Sequence, residues 1–266
     1  MAVYDVNGSL LITAYNTGGD SVSICYDKDG DAVMFPANYV KYANGTIEEV
    51  TTTQIGSITQ VQAFLVYGGK YYSTDGSKIT VQASDFTVES TTTIATGHGN
   101  GFQLGADNKG YISGWDDQKV YVINLDTVAL DSTITLPTTG YTTVATDTAN
   151  GYMYIFQRDT RPSTEAIYNL IKYDYVHGSI ISTVQTTKQY AAMQSCDFYN
   201  NKIYMTYGLG TNVAPCGLDI YDTSGNLLAE YTLAIFASTE TEGLFVDRSN
   251  GQILLSLYNK KVYRLT

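Results

Sequence analysis

Met193-Gln194-Ser195-Cys196-Asp197-Phe198-Tyr199-Asn200-Asn201-Lys202-Ile203-Tyr204-Met205-Thr206-Tyr207 opens the stretch that decides the fold, which runs on to Tyr231. Two apolar runs, 193–198 and 202–207, flank the Asn200-Asn201 turn. A Gly- and Pro-bearing loop, 209–217, leads to Leu218-Asp219-Ile220-Tyr221. Asp222-Thr223-Ser224-Gly225 then turns into a fourth run, 227–231. Alternating β-branched and aromatic residues bounded by Asn, Asp and Gly are strand–turn–strand signals. Four such strands in about 40 residues predict one blade of a β-propeller.

A lone meander cannot bury both faces, so a blade must recur. It recurs three more times upstream. Strands are expected over 142–147, 152–157, 170–173 and 179–184; over 102–107, 110–113, 119–124 and 127–136; and over 59–67, 70–73, 78–83 and 87–94. Tyr173-Asp174 with Gly178 and Tyr221-Asp222 with Gly225 repeat one turn signature after the third strand. Downstream, 242–247, 251–257 and 261–265 give only three strands before Thr266. An open sheet edge exposes a row of unpaired backbone groups, so a fourth strand must come from elsewhere. Residues 46–55, Thr-rich like 87–94, are expected to supply it. The fold class is therefore all-β, a five-bladed β-propeller over 46–266 closed by an N-terminal strand.

Residues 1–45 lack the four-strand period and read as a small β appendage. Asp5-Val6-Asn7-Gly8 and Asp27-Lys28-Asp29-Gly30 are hairpin turns by composition. Asp27, Asp29 and Asp31 alternate like the start of a calcium loop, but Gly30 falls too early and no Glu closes the loop. An ordinary hairpin turn is the reading, a calcium site the alternative.

The chain has 266 residues, with 24 Gly and 24 Tyr but only 4 Pro, which suits short strands and tight turns. Helical leaning is confined to 239–243. The net charge of −11, from 15 basic and 26 acidic residues, argues against nucleic acid and against anionic lipid as partners. No stretch approaches the roughly 20 apolar residues of a membrane span. Met1-Ala2-Val3-Tyr4-Asp5 lacks the regions of a signal peptide, so the chain either does not use that route or has been trimmed. Cys25, Cys196 and Cys216 have no metal-ligand spacing and read as thiols folded in a reducing cytoplasm, with a Cys196–Cys216 bridge as an alternative.

In a propeller, the loops from strand two to three and from strand four to the next strand one open on one face, around the channel that the first strands line. Gln62, Gln103, Gln194 and Glu242 stand in comparable places there, with Thr143 as the odd member. They either bond the backbones of neighbouring blades or form a polar ring that meets a ligand. Loop 158–165 brings Arg158 and Arg161. Gly114-Trp115-Asp116-Asp117 holds the only tryptophan. A Trp beside carboxylates stacks on a sugar while the carboxylates take its hydroxyls; alternatively Trp115 packs between blades. Tyr207 and Tyr168 offer further platforms. The expected ligand-binding set is Trp115, Asp116, Gln103, Arg158, Arg161, Gln194, Tyr207 and Glu242.

Catalysis has little support in the residues. His98, in Gly97-His98-Gly99-Asn100-Gly101, and His177, in an outer turn, read as conformational features. No nucleophile elbow, zinc spacing or phosphate loop is present. Glu242 is the one acidic residue placed in the ring, with Asp116 at its rim, and glycoside hydrolysis needs two carboxyls. No cofactor and no metal is expected.

Ala192-Met193-Gln194-Ser195-Cys196-Asp197-Phe198 followed by Lys202-Ile203-Tyr204 resembles the blade signature of receptor-binding propellers in tail proteins of bacteriophages with Gram-positive hosts. It is also similar to helveticin-type propellers. Gly101-Phe102-Gln103 with Gly110-Tyr111-Ile112, and Thr241-Glu242-Gly243-Leu244 with Gly251-Gln252-Ile253, repeat it. Tyr4-Asp5-Val6-Asn7-Gly8 and Tyr26-Asp27-Lys28-Asp29-Gly30 resemble the start of tail-associated proteins in phages of Firmicutes. The resemblance implies a virion protein folded in the host cytoplasm, with a host cell-surface saccharide and other tail proteins as partners and a homotrimer as assembly. A glycan-cleaving hydrolase and a purely structural virion protein are the alternatives.

Overall fold

The structure is a computed structural model describing residues 2–4, 10–13, 23–26, 32–35, 38–159, 165–211, 216–237 and 239–266. The turns expected within the first 37 residues, with Asp27, Asp29 and Asp31, and Arg161 lie outside the described residues. Two short hairpins come first, β1 (Ala2–Tyr4) with β2 (Leu10–Thr13) and β3 (Ser23–Tyr26) with β4 (Ala32–Phe35). Both are antiparallel pairs.

Next come β5 (Tyr39–Tyr42), β6 (Ile47–Glu49) and β7 (Thr52–Ser57). Blade one is β8 (Ala63–Tyr67), β9 (Lys70–Thr74), β10 (Lys78–Gln82) and β11 (Val88–Thr93). Blade two is β12 (Gly99–Leu104), β13 (Lys109–Gly114), β14 (Lys119–Asn124) and β15 (Ala129–Thr135). Blade three is β16 (Tyr141–Asp147), β17 (Tyr152–Arg158), β18 (Asn169–Asp174) and β19 (Ser179–Gln185). Blade four is β20 (Met193–Tyr199), β21 (Lys202–Tyr207), β22 (Gly217–Asp222) and β23 (Leu227–Thr232). Blade five is β24 (Thr241–Val246), β25 (Ile253–Leu257) and β26 (Lys261–Leu265), completed by β7. Each blade is an antiparallel meander, and the molecule is a five-bladed β-propeller.

The ring closes as the missing strand requires. Lys261 pairs with Ser57 and Leu265 with Thr52. Thr51 and Thr266 exchange backbone hydrogen bonds of 2.6 and 3.0 Å just beyond. The closing strand starts six residues later than 46, because Ile47–Glu49 goes elsewhere. Asn44-Gly45, with Gly45 at φ 87°, turns β5 back onto β6. β5 in turn pairs with β23 from Ala229↔Tyr42 to Thr232↔Tyr39, giving blade four six strands. An Asn-Gly pair between two extended runs is a strong hairpin signal.

The turn signature after strand three works through its aspartate. Asp174 accepts the amides of Val176 and His177 at 3.1 and 2.9 Å, and Asp222 those of Ser224 and Asn226 at 2.8 and 2.9 Å. The helical leaning at 239–243 is corrected: a single 3-10 turn lies earlier, at Ala234–Ala237, and Thr241–Val246 is extended. The β-branched and aromatic residues Thr241, Phe245 and Val246 favour a strand.

Apolar clusters fill the space between adjacent blades. One joins Phe64, Ile79, Phe102 and Ile112; another joins Phe156, Tyr190, Met205 and Tyr221. Much of the tyrosine content goes into these clusters. Cys196, fully buried, and Cys216, half-buried, are both free thiols. Burial pushes the Cys196 thiol well above its ordinary value.

Candidate functional site

The first strands converge on the axis, where β12 packs against β8, β16, β20 and β24. Three of them carry an irregularity at the same level. The register shifts between Gly99 and Phe102 in β12, between Met193 and Ser195 in β20, and between Thr241 and Gly243 in β24. A bulge re-aims the extra side chain away from the regular pleat. The residues at these bulges are Asn100, Gln194 and Glu242.

At this level Gln194 Nε2 donates to Glu240 and to the Gly208 carbonyl (3.3 Å). Asn100 Nδ2 donates to the Met193 carbonyl across the axis at 3.0 Å. Thr143 Oγ1 donates to the Asn100 carbonyl at 3.0 Å. Glu242 is 3 % exposed. Burial, and then the neighbouring Glu240, push its carboxyl up to about 9. Burial also raises Glu240, against the lowering effect of Gln194.

Gln103 stands deeper than the mouth, opposite Tyr111. Its Nε2 donates to the Val144 carbonyl, and its Oε1 accepts the Thr146 amide at 2.7 Å. That is the blade-to-blade reading of the polar ring. The residue level with Gln194 and Glu242 in blade two is Asn100.

A second feature of the same face is aromatic. The Trp115 ring lies 4.9 Å from His98 and 4.6 Å from Tyr141, centroid to centroid. The backbone fixes the trio: Trp115 N donates to His98 O, and Thr142 N to Trp115 O, both at 2.8 Å. Trp115 is half-buried, while His98 and Asp116 are exposed. Asp117 is committed to its own loop, accepting the Tyr121 hydroxyl and the Lys119 amide (3.2 Å). Asp116 is left as the open carboxylate.

The remaining expected residues lie in other surroundings. The Arg158 guanidinium sits 5.8 Å above the Tyr168 ring, and the Tyr168 hydroxyl donates to Ala191 O at 3.2 Å. Tyr207 belongs to an ionic cluster that no spacing in the sequence announces. Lys188 Nζ donates to its hydroxyl oxygen and to Glu230, both at 2.8 Å, and to Asp219 at 3.0 Å. Tyr190 donates to Asp219 at 2.6 Å. Burial lowers the Lys188 ammonium, but Asp219, Tyr207 and Glu230 together outweigh it and hold the group above its ordinary value. The Tyr207 hydroxyl is pushed up to about 12, first by burial and then by Asp219. His177 closes its turn on Asp174 at 2.8 Å.

No family model matches the chain, and no curated protein matches it. Among solved structures, the glutaminyl cyclase of Myxococcus xanthus is similar in fold, with a TM-score of 0.59 at 11 % identity over 85 % of this chain and 95 % of that one. The virginiamycin B lyase of Staphylococcus aureus gives a TM-score of 0.40 at 15 % identity, over 100 % of this chain and 87 % of that one. Both are enzymes by name; at 11 % identity the likeness to the glutaminyl cyclase is one of fold alone.

Proposed function

We propose that this protein is a non-catalytic phage tail or fibre component that binds a host cell-surface saccharide on the face bearing Trp115. The observation that carries the reading is the Trp115 ring held between His98 and Tyr141, with the open Asp116 carboxylate beside it. Indole faces stack on the C–H faces of sugar rings, and a neighbouring carboxylate accepts their hydroxyls. The tail assignment is supported by the blade phrase 192–198 and by the N-terminal Tyr-Asp phrases. Other virion proteins are then the remaining partners, and a homotrimer the expected assembly. A glycan array of the purified protein tests this. Signal on at least one saccharide class is expected, lost in Trp115→Ala with the fold retained by circular dichroism. No signal, or signal untouched by that substitution, overturns it.

One observation favours a second reading, a glycan-cleaving hydrolase. Glu242 keeps its proton at neutral pH beside Glu240, and proton donor plus carboxylate is the pairing such chemistry needs. Asp116, at the rim of the ring, is exposed in the Trp115 loop. Release of reducing ends, abolished by Glu242→Gln, would promote this reading over the first.

A further inference from the structure

Among the described residues, the mouth of the axis gathers acceptors with no cation against them. Among the described residues the Glu242 carboxyl accepts no hydrogen bond, and the Glu240 carboxyl accepts one only from Gln194. No cationic side chain of the described residues acts on either carboxyl. Across the axis, Asn100 spends its amide hydrogens on Met193, and its buried Oδ1 has no donor. Gln62 Oε1, just before β8, is buried and without a donor as well. One level below, the buried hydroxyls of Ser113 and Ser195 are unpartnered and converge on Gly101. A Cβ at Gly101 would stand 3.1 Å from Ser113 Oγ and 3.6 Å from Ser195 Oγ, and its φ of 153° lies outside the range of ordinary side chains. A side chain at Gly101 would crowd these hydroxyls.

Each buried polar group left without a partner costs roughly 1–3 kcal/mol. These unpartnered acceptors sit on or just before first strands that meet at the axis. We infer that Glu242, Glu240 and the Asn100 and Gln62 carbonyl oxygens form a receptor for a protonated primary amine, carried by an amino-sugar unit of the bound saccharide. This rests on the saccharide reading above. The chemistry matches: an ammonium has three donors, no acceptor and a positive charge, the mouth is rich in acceptor oxygens, and a cation arriving there favours release of the proton that Glu242 holds in the empty site. The aromatic platform is adjacent in the chain, since His98 stands two residues before Asn100. A sugar stacked on Trp115 is thus held beside the mouth.

Chitosan tetramer and chitotetraose share a backbone and differ in the free amine. Calorimetric titration of both at pH 6 into wild type, Glu242→Gln, Glu240→Gln and Trp115→Ala tests the inference. Chitosan tetramer is expected to bind at least tenfold tighter than chitotetraose. Glu242→Gln and Glu240→Gln are each expected to erase the difference, and melting curves establish that both variants are folded. Equal binding of the two oligomers overturns the amine receptor and leaves the saccharide reading standing. A preference that survives both substitutions overturns it too. If neither oligomer binds while other saccharides score on the array, the receptor falls alone; if no saccharide scores, both readings fall.

Discussion

The guanidinium of Arg248, on blade five, holds both carboxylate oxygens of Asp197, on blade four, at the end of the axis opposite the mouth. Nη1 reaches Asp197 Oδ2 at 2.9 Å, and Nη2 also donates to Leu104 O of blade two at 3.1 Å. Asp197 is 0 % exposed and its Oδ2 additionally accepts the Val246 amide at 2.7 Å. One side chain thereby ties three blades together. Arg248→Met strands a buried carboxylate and is expected to cost about 3–5 kcal/mol. Asp197→Asn with Arg248→Met should recover part of that loss in a double-mutant cycle by urea denaturation. Simple additivity of the two substitutions would refute the clasp.

Gln103 gives a second stability prediction. Gln103→Ala leaves the Val144 carbonyl and the Thr146 amide without their side-chain partner inside the ring. About 2–3 kcal/mol of stability should be lost, with saccharide binding per folded molecule unchanged. A stability equal to wild type would show that the blade-to-blade bridge contributes nothing.

The blade count, the β-only class and the closure were legible because they rest on local signals. Asn, Asp and Gly turns recur between period-two runs, and the C-terminal unit visibly lacks a strand. The start of the closing strand was less legible, since Asn44-Gly45 diverts Ile47–Glu49 onto blade four. Gln103 took the place that belongs to Asn100 because a bulge adds residues without leaving a compositional mark. Glu240 was readable in Thr239-Glu240-Thr241-Glu242, where alternation puts both carboxyls on one side of an extended chain. The Lys188 cluster was not, because its members come together only when the connection after blade three packs on blade four.

Glu242 predicts a pH dependence with a definite sign. Its folded carboxyl is pushed up to about 9, far above the value in an unfolded chain. Below about pH 4 both states hold the proton and the group is neutral to stability. As pH rises towards 9 the unfolded chain releases its proton and the folded one does not, so folding is increasingly penalised. Glu242→Gln should therefore match wild type at pH 4 and gain on the order of a few kcal/mol at pH 8. Thermal melts at the two pH values check it; a gain independent of pH would contradict the shifted carboxyl.

Lys188 is the counter-charge of its cluster. Lys188→Met leaves Asp219, 0 % exposed, facing Glu230 without a cation. A loss of about 3 kcal/mol is expected, partly restored by adding Asp219→Asn. Chemical denaturation reads both, and a neutral single substitution would mean that the ion pair is dispensable.

A crystal structure of the protein with an array-positive saccharide tests the central claim most directly. The account predicts a sugar ring stacked on Trp115 beside His98 and Tyr141, with Asp116 on its hydroxyls. Sugar density on the opposite face, around Arg248, or along the outer strands with Trp115 bare, would contradict it.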